Sequence, residues 1–204
     1  MQRKDFRVVL TGGPGGGKTT AADLYRREIG PQVVIVPESA SLLYSGGFPR
    51  SSRPAVKKET QKAIYQVQIH LEEVQAAEYE SRVLLCDRGT IDGAVYWPGE
   101  PSDYFASVGT TLQLELARYD AVLFFETAAI GGISIEGGNP NRIESIEQAV
   151  ELDRKLRAIW SQHENFIFIA HSTSFLRKVH EGLIKLQEVV GQHLELSRRP
   201  FYGQ

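Results

Sequence analysis

The sequence has few features of an exported or a nucleic-acid-binding protein. It contains one cysteine, Cys86, which cannot form a disulfide within the chain, so we expect a cytoplasmic protein. Lys and Arg number 23 against 25 Asp and Glu, which gives a net charge of −2. This balance lacks the positive surplus that a duplex DNA binder needs. The composition therefore predicts no nucleic-acid partner.

Long hydrophobic runs are also missing. The apolar run Val8-Val9-Leu10 stops at Thr11-Gly12, which is too short for a signal peptide or a membrane span, so we expect no membrane partner. Hydrophobic residues make up 42% and charged residues 24% of the 204 residues, values that disfavour disorder and fibrous repeats. We expect one globular domain over residues 1–191, followed by a C-terminal tail over 192–204.

Short apolar runs alternate with helical patterns along the chain. The runs predict strands over residues 7–11, 33–36, 83–86, 121–125 and 166–170. Their alternation with helices predicts an α/β fold, in which helices cover both faces of a parallel sheet. Residues 39–54 are rich in Ser, Gly, Pro and Tyr, and we expect them to be irregular or briefly helical.

Two of the predicted helices are long. One spans residues 57–80 and is expected to bury Ile64, Val67, Leu71 and Val74, which follow one another at helical spacing. The other spans residues 174–190 and is expected to end at Gly191. A capping box at Ser145 and Gln148 predicts the start of a further helix, with Ala149, Leu152, Leu156 and Ile159 toward the core.

A glycine-rich motif follows the first predicted strand and opens the first predicted helix. Gly12-x-x-x-x-Gly17-Lys18-Thr19 matches the P-loop pattern in the context that this pattern requires. Glycines let consecutive backbone N–H groups turn toward one anion, and the helix N-terminus adds further donors. Lys18 would hold β- and γ-phosphate oxygens, and Thr19 would place its hydroxyl on Mg²⁺. The predicted nucleotide-binding residues are Gly13, Pro14, Gly15, Gly16, Gly17, Lys18, Thr19 and Thr20.

Polar residues follow two other predicted strands, where ligands bind in this architecture. Asp87 is placed to complete the magnesium shell, and Arg88 offers a planar fork of donors to an oxyanion or a transferred phosphoryl group. Glu38 follows the second strand and is a candidate general base for an attacking hydroxyl. Asp92 and Gln68 are weaker candidates for contacts with the substrate.

A second glycine-rich segment, residues 130–144, predicts a lid. It carries Arg142, a cation that can close over the phosphates as negative charge redistributes during transfer. Ser172 lies after the fifth strand, where it is placed to contact the nucleotide base. These positions complete the predicted catalytic set of Lys18, Glu38, Asp87, Arg88 and Arg142.

The motifs together resemble a known family. The segments Leu10–Thr20, Val36-Pro37-Glu38, Asp87-Arg88-Gly89 and Asn141-Arg142-Ile143-Glu144 look like the NadR-like P-loop group, which carries an AAA label. The resemblance implies a domain similar to nicotinamide riboside kinase and deoxynucleoside kinase domains, with sheet order 2-3-1-4-5 and an arginine lid. By position, it assigns Lys18 and Thr19 to phosphate and magnesium, and Arg142 to the lid.

The expected function is Mg-ATP-dependent phosphate transfer to a small hydroxyl-bearing metabolite such as a nucleoside or a ribosyl compound. The chain has no Asn-Lys-x-Asp segment for reading guanine, which disfavours a typical GTPase. We expect a small-molecule substrate, ATP and Mg²⁺ as cofactors, and a monomer or homodimer. Two alternatives stay open, namely a nucleotide-gated binding module and a nucleoside monophosphate kinase that uses Arg50, Arg53 or Lys57 on the acceptor phosphate.

Overall fold

The computed structural model describes residues 5–132 and 145–198. The strands are β1 (Phe6–Thr11), β2 (Val33–Val36), β3 (Val83–Asp87), β4 (Ala121–Phe125) and β5 (Phe166–Ile169). The helices are α1 (Lys18–Ile29), α2 (Ser39–Ser45), α3 (Pro54–Glu78), α4 (Asp92–Tyr96), α5 (Pro101–Ser107), α6 (Leu112–Leu116), α7 (Ile146–Trp160) and α8 (Phe175–Arg198). None of the described helices is long and apolar enough to cross a membrane.

The five strands form one parallel sheet of order β2-β3-β1-β4-β5, which confirms the predicted fold class. The central strand β1 is buried between β3 and β4, and Val9 pairs with Cys86 on one side and Val122 on the other. Because every strand runs the same way, the carboxyl ends of all five meet at one edge of the sheet. The residues that follow β1, β2 and β3 are therefore neighbours in space.

Helices cover both faces of the sheet and make two separate cores. On one face, α1 and α8 pack on β1 and β4 through Tyr25 and Leu186. On the other face, the large aromatic side chains of Tyr104 and Trp160 pack with Leu156 against β3 and β4. The result is the three-layer α/β/α arrangement that the alternating pattern predicts.

The inward face of α3 differs from the face that its apolar spacing predicts. Val74 is 61% exposed, and Ile64, Val67 and Leu71 are half-buried rather than buried. The buried residues of α3 are mainly polar: Thr60, Gln61, Tyr65, Gln68 and Glu72. Glu72 accepts from Arg7 Nη1 at 3.0 Å and from Arg118 Nη2 at 2.7 Å, so an internal ion-pair network takes the inward position there.

The last helix is also longer than predicted, because α8 continues through Gly191 to Arg198. A glycine inside a helix costs about 1 kcal/mol relative to alanine, which packing can offset. Val189 and Val190, directly before it, are buried in the core. The short helix α2 agrees with the expectation for residues 39–54, and the capping box at Ser145 and Gln148 is present.

Candidate functional site

The P-loop connects β1 to α1 and takes a backbone shape that favours glycine. Gly12, Gly15 and Gly17 all have positive φ, in the range that L side chains rarely adopt. A Cβ on Gly12 would also lie 2.1 Å from the carbonyl oxygen of Phe125. Helix α1 begins at Lys18 without a side-chain cap on its first N–H groups. Those donors are therefore available to an anion.

The Lys18 side chain is buried under this loop. Its Nζ donates to the carbonyl oxygens of Gly12 at 2.8 Å and Gly13 at 2.9 Å. Burial, with a further contribution from the Arg88 charge, lowers the pKa of Lys18 to about 7. A bound polyphosphate would favour the charged ammonium, since an opposite charge stabilises it.

Thr19 and Asp87 meet across the gap between α1 and β3. Thr19 Oγ1 donates to Asp87 Oδ2 at 2.6 Å, because β3 pairs with β1 and ends beside the P-loop. Burial raises the pKa of Asp87, and the nearby charge of Glu38 raises it further. A hydroxyl and a carboxylate oxygen are the hard donors that Mg²⁺ takes from protein, so these residues fit the predicted magnesium ligands.

Glu38, Arg88 and Asp92 form a chain of ion pairs beside these ligands. Arg88 Nε donates to Glu38 Oε1 at 2.5 Å, and Arg88 Nη1 donates to Asp92 Oδ1 at 2.8 Å. Burial opposes ionisation of Glu38, but Arg88, a hydrogen bond from Ser41 and the Lys18 charge outweigh it and lower the pKa of Glu38. Glu38 is therefore a carboxylate held in one orientation at the end of β2.

Arg88 owes its direction to an unusual backbone conformation. Its φ is +71°, in the left-handed region, and its N–H donates to the carbonyl oxygen of Leu10 at 3.0 Å. Asp92 fixes the other end of this chain of ion pairs, since its carboxylate also accepts from Thr11 Oγ1 at 3.0 Å and from Trp160 Nε1 at 3.0 Å. Asp92 thus acts in the structure as a buried hub that orients Arg88.

Sequence reasoning missed two buried charges that hold the P-loop from behind. Asp153 of α7 accepts from the N–H of Gly13 at 2.8 Å and of Thr127 at 2.9 Å. Lys178 of α8 donates to the carbonyl oxygen of Gly16 at 2.8 Å. The available signal was an acid within the buried stripe of α7, where Asp153 lies four residues after Ala149 and three before Leu156.

A cavity of about 1130 Å³ opens at the carboxyl edge of the sheet and joins most of these groups. Its nucleotide half is lined by Pro14, Gly17, Lys18, Thr19, Thr20 and Asp87. The part beside α3, which we call the acceptor half after the function proposed below, is lined by Thr60, Gln61, Ile64 and Tyr65 of α3, together with Tyr96 and Trp97. Glu38 and Arg88 also line the cavity, together with Arg50 and Lys57.

The other predicted site residues in the described part of the chain do not line this cavity. Gly13 and Gly16 face Asp153 and Phe125 respectively, and Gly15 is half-buried in the loop. Ser172 is not among the residues that line the cavity, and its hydroxyl accepts from the N–H of Ser174 at 3.2 Å beside the start of α8. Arg142 lies outside the described residues, so its role in a lid stays a prediction.

Two solved structures are similar to the chain. One is described as NadR protein in complex with NAD and AMP-PNP, with a TM-score of 0.61. The other is NadR protein in complex with NR, with a TM-score of 0.65. In both comparisons the identity is 16%, and the match covers 92% of this chain and 50% of the NadR chain. The chain thus spans about half the length of these proteins, and the likeness shows a shared fold.

No curated protein sequence matches the chain. A family model, however, matches residues 7–178, which include the whole P-loop and all of the sheet except Phe6, the first residue of β1. Its description is AAA domain, and it agrees with the label of the NadR-like group that the motifs resemble. The chain therefore belongs to the AAA domain family AAA_28 and has a NadR-like P-loop NTPase fold.

Proposed function

We propose that the protein is a Mg-ATP-dependent phosphotransferase that acts on an alcohol group of a small metabolite, such as a nucleoside or another ribosyl compound. The observation that carries this proposal is the position of Glu38. Its oriented carboxylate lines the same cavity as Lys18 and Thr19, the residues that mark the phosphate end. A P-loop site that faces an oriented carboxylate has the parts for phosphate transfer to a hydroxyl.

Each residue has a defined task in this reaction. The amides of the P-loop and the start of α1 hold the triphosphate, and Lys18 neutralises charge on its β- and γ-phosphates. Glu38 accepts the proton of the acceptor hydroxyl as that oxygen forms a bond to the γ-phosphorus. The bond from that phosphorus to the β–γ bridging oxygen breaks, and ADP leaves. Mg²⁺, held by Thr19 and Asp87, would supply positive charge to the transferred group.

The family and the similar structures support this proposal. NadR structures carry NAD, AMP-PNP and NR, all of which are small nucleotide or nucleoside ligands. The cavity also holds both kinds of charge that such a ligand needs, since Lys18 lines its phosphate end and the Glu38 carboxylate lines it as well. We infer that the partners of this chain are small molecules.

Transfer of labelled phosphate from ATP tests the proposal. Purified protein with Mg²⁺ is incubated with nucleosides, ribose and other small alcohols, and the products are separated and counted. We expect label on at least one acceptor and loss of that label in Glu38→Gln. Tight ATP binding without label on any acceptor would contradict the proposed reaction.

A second candidate is a nucleoside monophosphate kinase, and one observation favours it. Arg50 and Lys57 line the outer part of the cavity, where they can meet an acceptor phosphate. Parallel assays with a nucleoside and its monophosphate separate the two functions. A preference for the monophosphate that is lost in Arg50→Ala would identify this second reaction.

A further inference from the structure

Lys178 of α8 is a buried cation behind the P-loop. It is 3% exposed, and its Nζ donates to two backbone carbonyl oxygens, those of Gly16 in the P-loop and of Glu126 directly after β4. The N–H of Glu126 donates to the carbonyl oxygen of Ile169 in β5 at 3.0 Å, so Glu126 is itself fixed to the sheet. Lys178 therefore connects one peptide group of the P-loop to the rigid part of the fold.

The peptide group that Lys178 holds is the one between Gly16 and Gly17. In a planar trans peptide, the carbonyl of one residue and the N–H of the next point in opposite directions. Because the Gly16 carbonyl points back to Lys178, the Gly17 N–H points forward, on the side where Gly17 lines the cavity. This N–H has no acceptor among the described residues, so it is available to an anion.

A neutral side chain holds a neighbouring peptide group in the same way. Thr127 Oγ1 donates to the carbonyl oxygen of Pro14, so the N–H of Gly15 points away from Thr127. The difference is the charge of the donor. A hydrogen bond from a charged donor is stronger than one from a neutral donor, and it polarises the peptide group so that its N–H becomes a better donor on the other side. Lys178 therefore strengthens the Gly17 N–H as well as orienting it.

The charge of Lys178 has no ion-pair partner within residues 5–132 and 145–198. Both acceptors of its Nζ are neutral carbonyl oxygens. Burial lowers the pKa of Lys178 to about 8, although the charges of Asp153 and Glu126 favour the ammonium. A buried cation is costly without a counter-charge, and a polyphosphate on the opposite side of the loop would supply one. The loop thus gains attraction for an anion from a cation that lies behind it.

We propose that Lys178 is a positioning residue for the triphosphate, which directs and polarises the Gly17 N–H through the Gly16 carbonyl and raises nucleotide affinity without touching the nucleotide. The inference rests on the proposed function, because it requires a polyphosphate in the P-loop. It goes further because it assigns part of the nucleotide affinity to α8, a helix outside the P-loop motif and far from it in sequence.

Three variants of Lys178 separate its charge from its packing. Lys178→Met removes the charge and the donors at similar length, Lys178→Gln keeps a neutral donor, and Lys178→Arg keeps the charge. Calorimetry with Mg-ADP and Mg-AMP-PNP should show a loss of affinity of about 10- to 100-fold in Lys178→Met, an intermediate loss in Lys178→Gln and the smallest loss in Lys178→Arg.

Lys185→Met is the matched control for these variants. It makes the same substitution on the same helix, at a lysine whose side chain is 43% exposed. It should bind both nucleotides as the wild type does, because Lys185 contacts no residue of the P-loop that the structure describes.

A spectroscopic measurement tests the peptide group itself. In isotope-labelled protein, saturating Mg-ADP should shift the amide resonance of Gly17 strongly in the wild type. The shift should be smaller in Lys178→Met and largely restored in Lys178→Arg, since polarisation of the peptide group follows the charge of the donor. A lysine that only stabilises the fold would leave this shift unchanged once the nucleotide site is saturated.

The outcomes separate this inference from the proposed function. Wild-type affinity in Lys178→Met, equal losses in Lys178→Met and Lys178→Arg, or an unchanged Gly17 shift would each overturn the role of Lys178. If Lys178→Met does not fold, as judged by circular dichroism, equal affinities of Lys178→Gln and Lys178→Arg would overturn it instead. Loss of affinity in Lys178→Met, with no acceptor labelled by the wild type, would reject the proposed reaction and keep the role of Lys178.

Discussion

The nucleotide half and the acceptor half of the cavity hold their polar groups differently. Behind the P-loop, Asp153 and Lys178 hold backbone groups of Gly13 and Gly16, and Lys18 is bonded to two loop carbonyls. In the acceptor half, Gln61 has no partner among the described residues, and Arg50 is exposed with its guanidinium over the Tyr44 ring. One half is fixed by internal bonds, and the other keeps donors and acceptors for a ligand.

Under the proposed function, this difference separates the residues that bind the triphosphate from the residues that select the acceptor. A polyphosphate is the same in every reaction, so a backbone cradle of fixed shape is sufficient to bind it. An acceptor differs from one enzyme to another, so its site consists of side chains that can vary without disturbing the fold. Glu38 and Arg88 lie between the two halves. In the proposed reaction they are the residues next to both the triphosphate and the acceptor.

The largest expected effect is a loss of phosphate transfer when Glu38, at the boundary between the halves, is replaced. Glu38→Gln removes the proton acceptor but keeps the size of the side chain, so kcat for transfer should fall about 10²- to 10⁴-fold. Affinity for Mg-ATP should persist, because the P-loop is untouched. Kinetics with labelled ATP and calorimetry with AMP-PNP measure the two quantities.

Ser41→Ala is the control for this variant. It removes the hydrogen bond to Glu38 but leaves the carboxylate and its ion pair with Arg88. We expect a much smaller loss of kcat than in Glu38→Gln. Equal losses in both variants would mean that the carboxylate acts by holding Ser41 and the local structure rather than by taking a proton.

The next effect concerns the rigidity of the nucleotide half. Asp153→Ala leaves two buried N–H groups, of Gly13 and Thr127, without their acceptor and should lower the free energy of unfolding by about 3 kcal/mol. Asp153→Asn keeps an acceptor oxygen and should cost about 1 kcal/mol. Urea unfolding measures both, and Mg-ATP affinity should fall with the alanine variant more than with asparagine. Equal stability of the two variants would show that Asp153 does not hold the loop.

The smallest expected effect is a pH dependence of the free energy of unfolding, caused by Tyr65 in the acceptor half. Burial and the hydrogen bond to Glu115 raise the pKa of Tyr65 to about 12, against 10 for an ordinary tyrosine. The folded protein therefore keeps this proton where the unfolded chain has lost it, and stability falls as pH rises from about 10 to about 12. Tyr65→Phe should make that fall shallower in unfolding experiments. Parallel wild-type and variant profiles across this window would contradict the assignment.

Much of the fold was predictable because the strands are continuous apolar runs with clear ends. All five strands agree with expectation, since a strand buried on both faces leaves a simple pattern. The sheet order agrees with the order that the family resemblance implied. The orientation of α3 was not predictable in the same way. Its apolar spacing indicated one face, but Glu72 pairs with Arg7 and Arg118, which are distant in sequence. Tertiary ion pairs of this kind have no local signature.

The same contrast applies to the site. Lys18 and Thr19 follow the loop after β1, Asp87 ends β3, and Glu38 comes two residues after β2. Their convergence at one edge was therefore predictable from the order of the elements. The ion pair that joins Glu38 to Arg88 depends on the positive φ of Arg88, which no sequence pattern predicts. Asp153 acts through hydrogen bonds to Gly13 and Thr127, which are distant from it in sequence, so it carried no motif.

The central claim is that the backbone loop and Lys18 bind a triphosphate at the edge of the sheet. Calorimetric titration of Mg-ATP into the wild type and into Lys18→Met tests it most directly. We expect saturable one-site binding in the wild type and at least a tenfold loss of affinity in the variant, since a buried charged contact is worth about 1.5–3 kcal/mol. Absence of heat with the folded wild type, or equal affinity of the two proteins, would contradict the account.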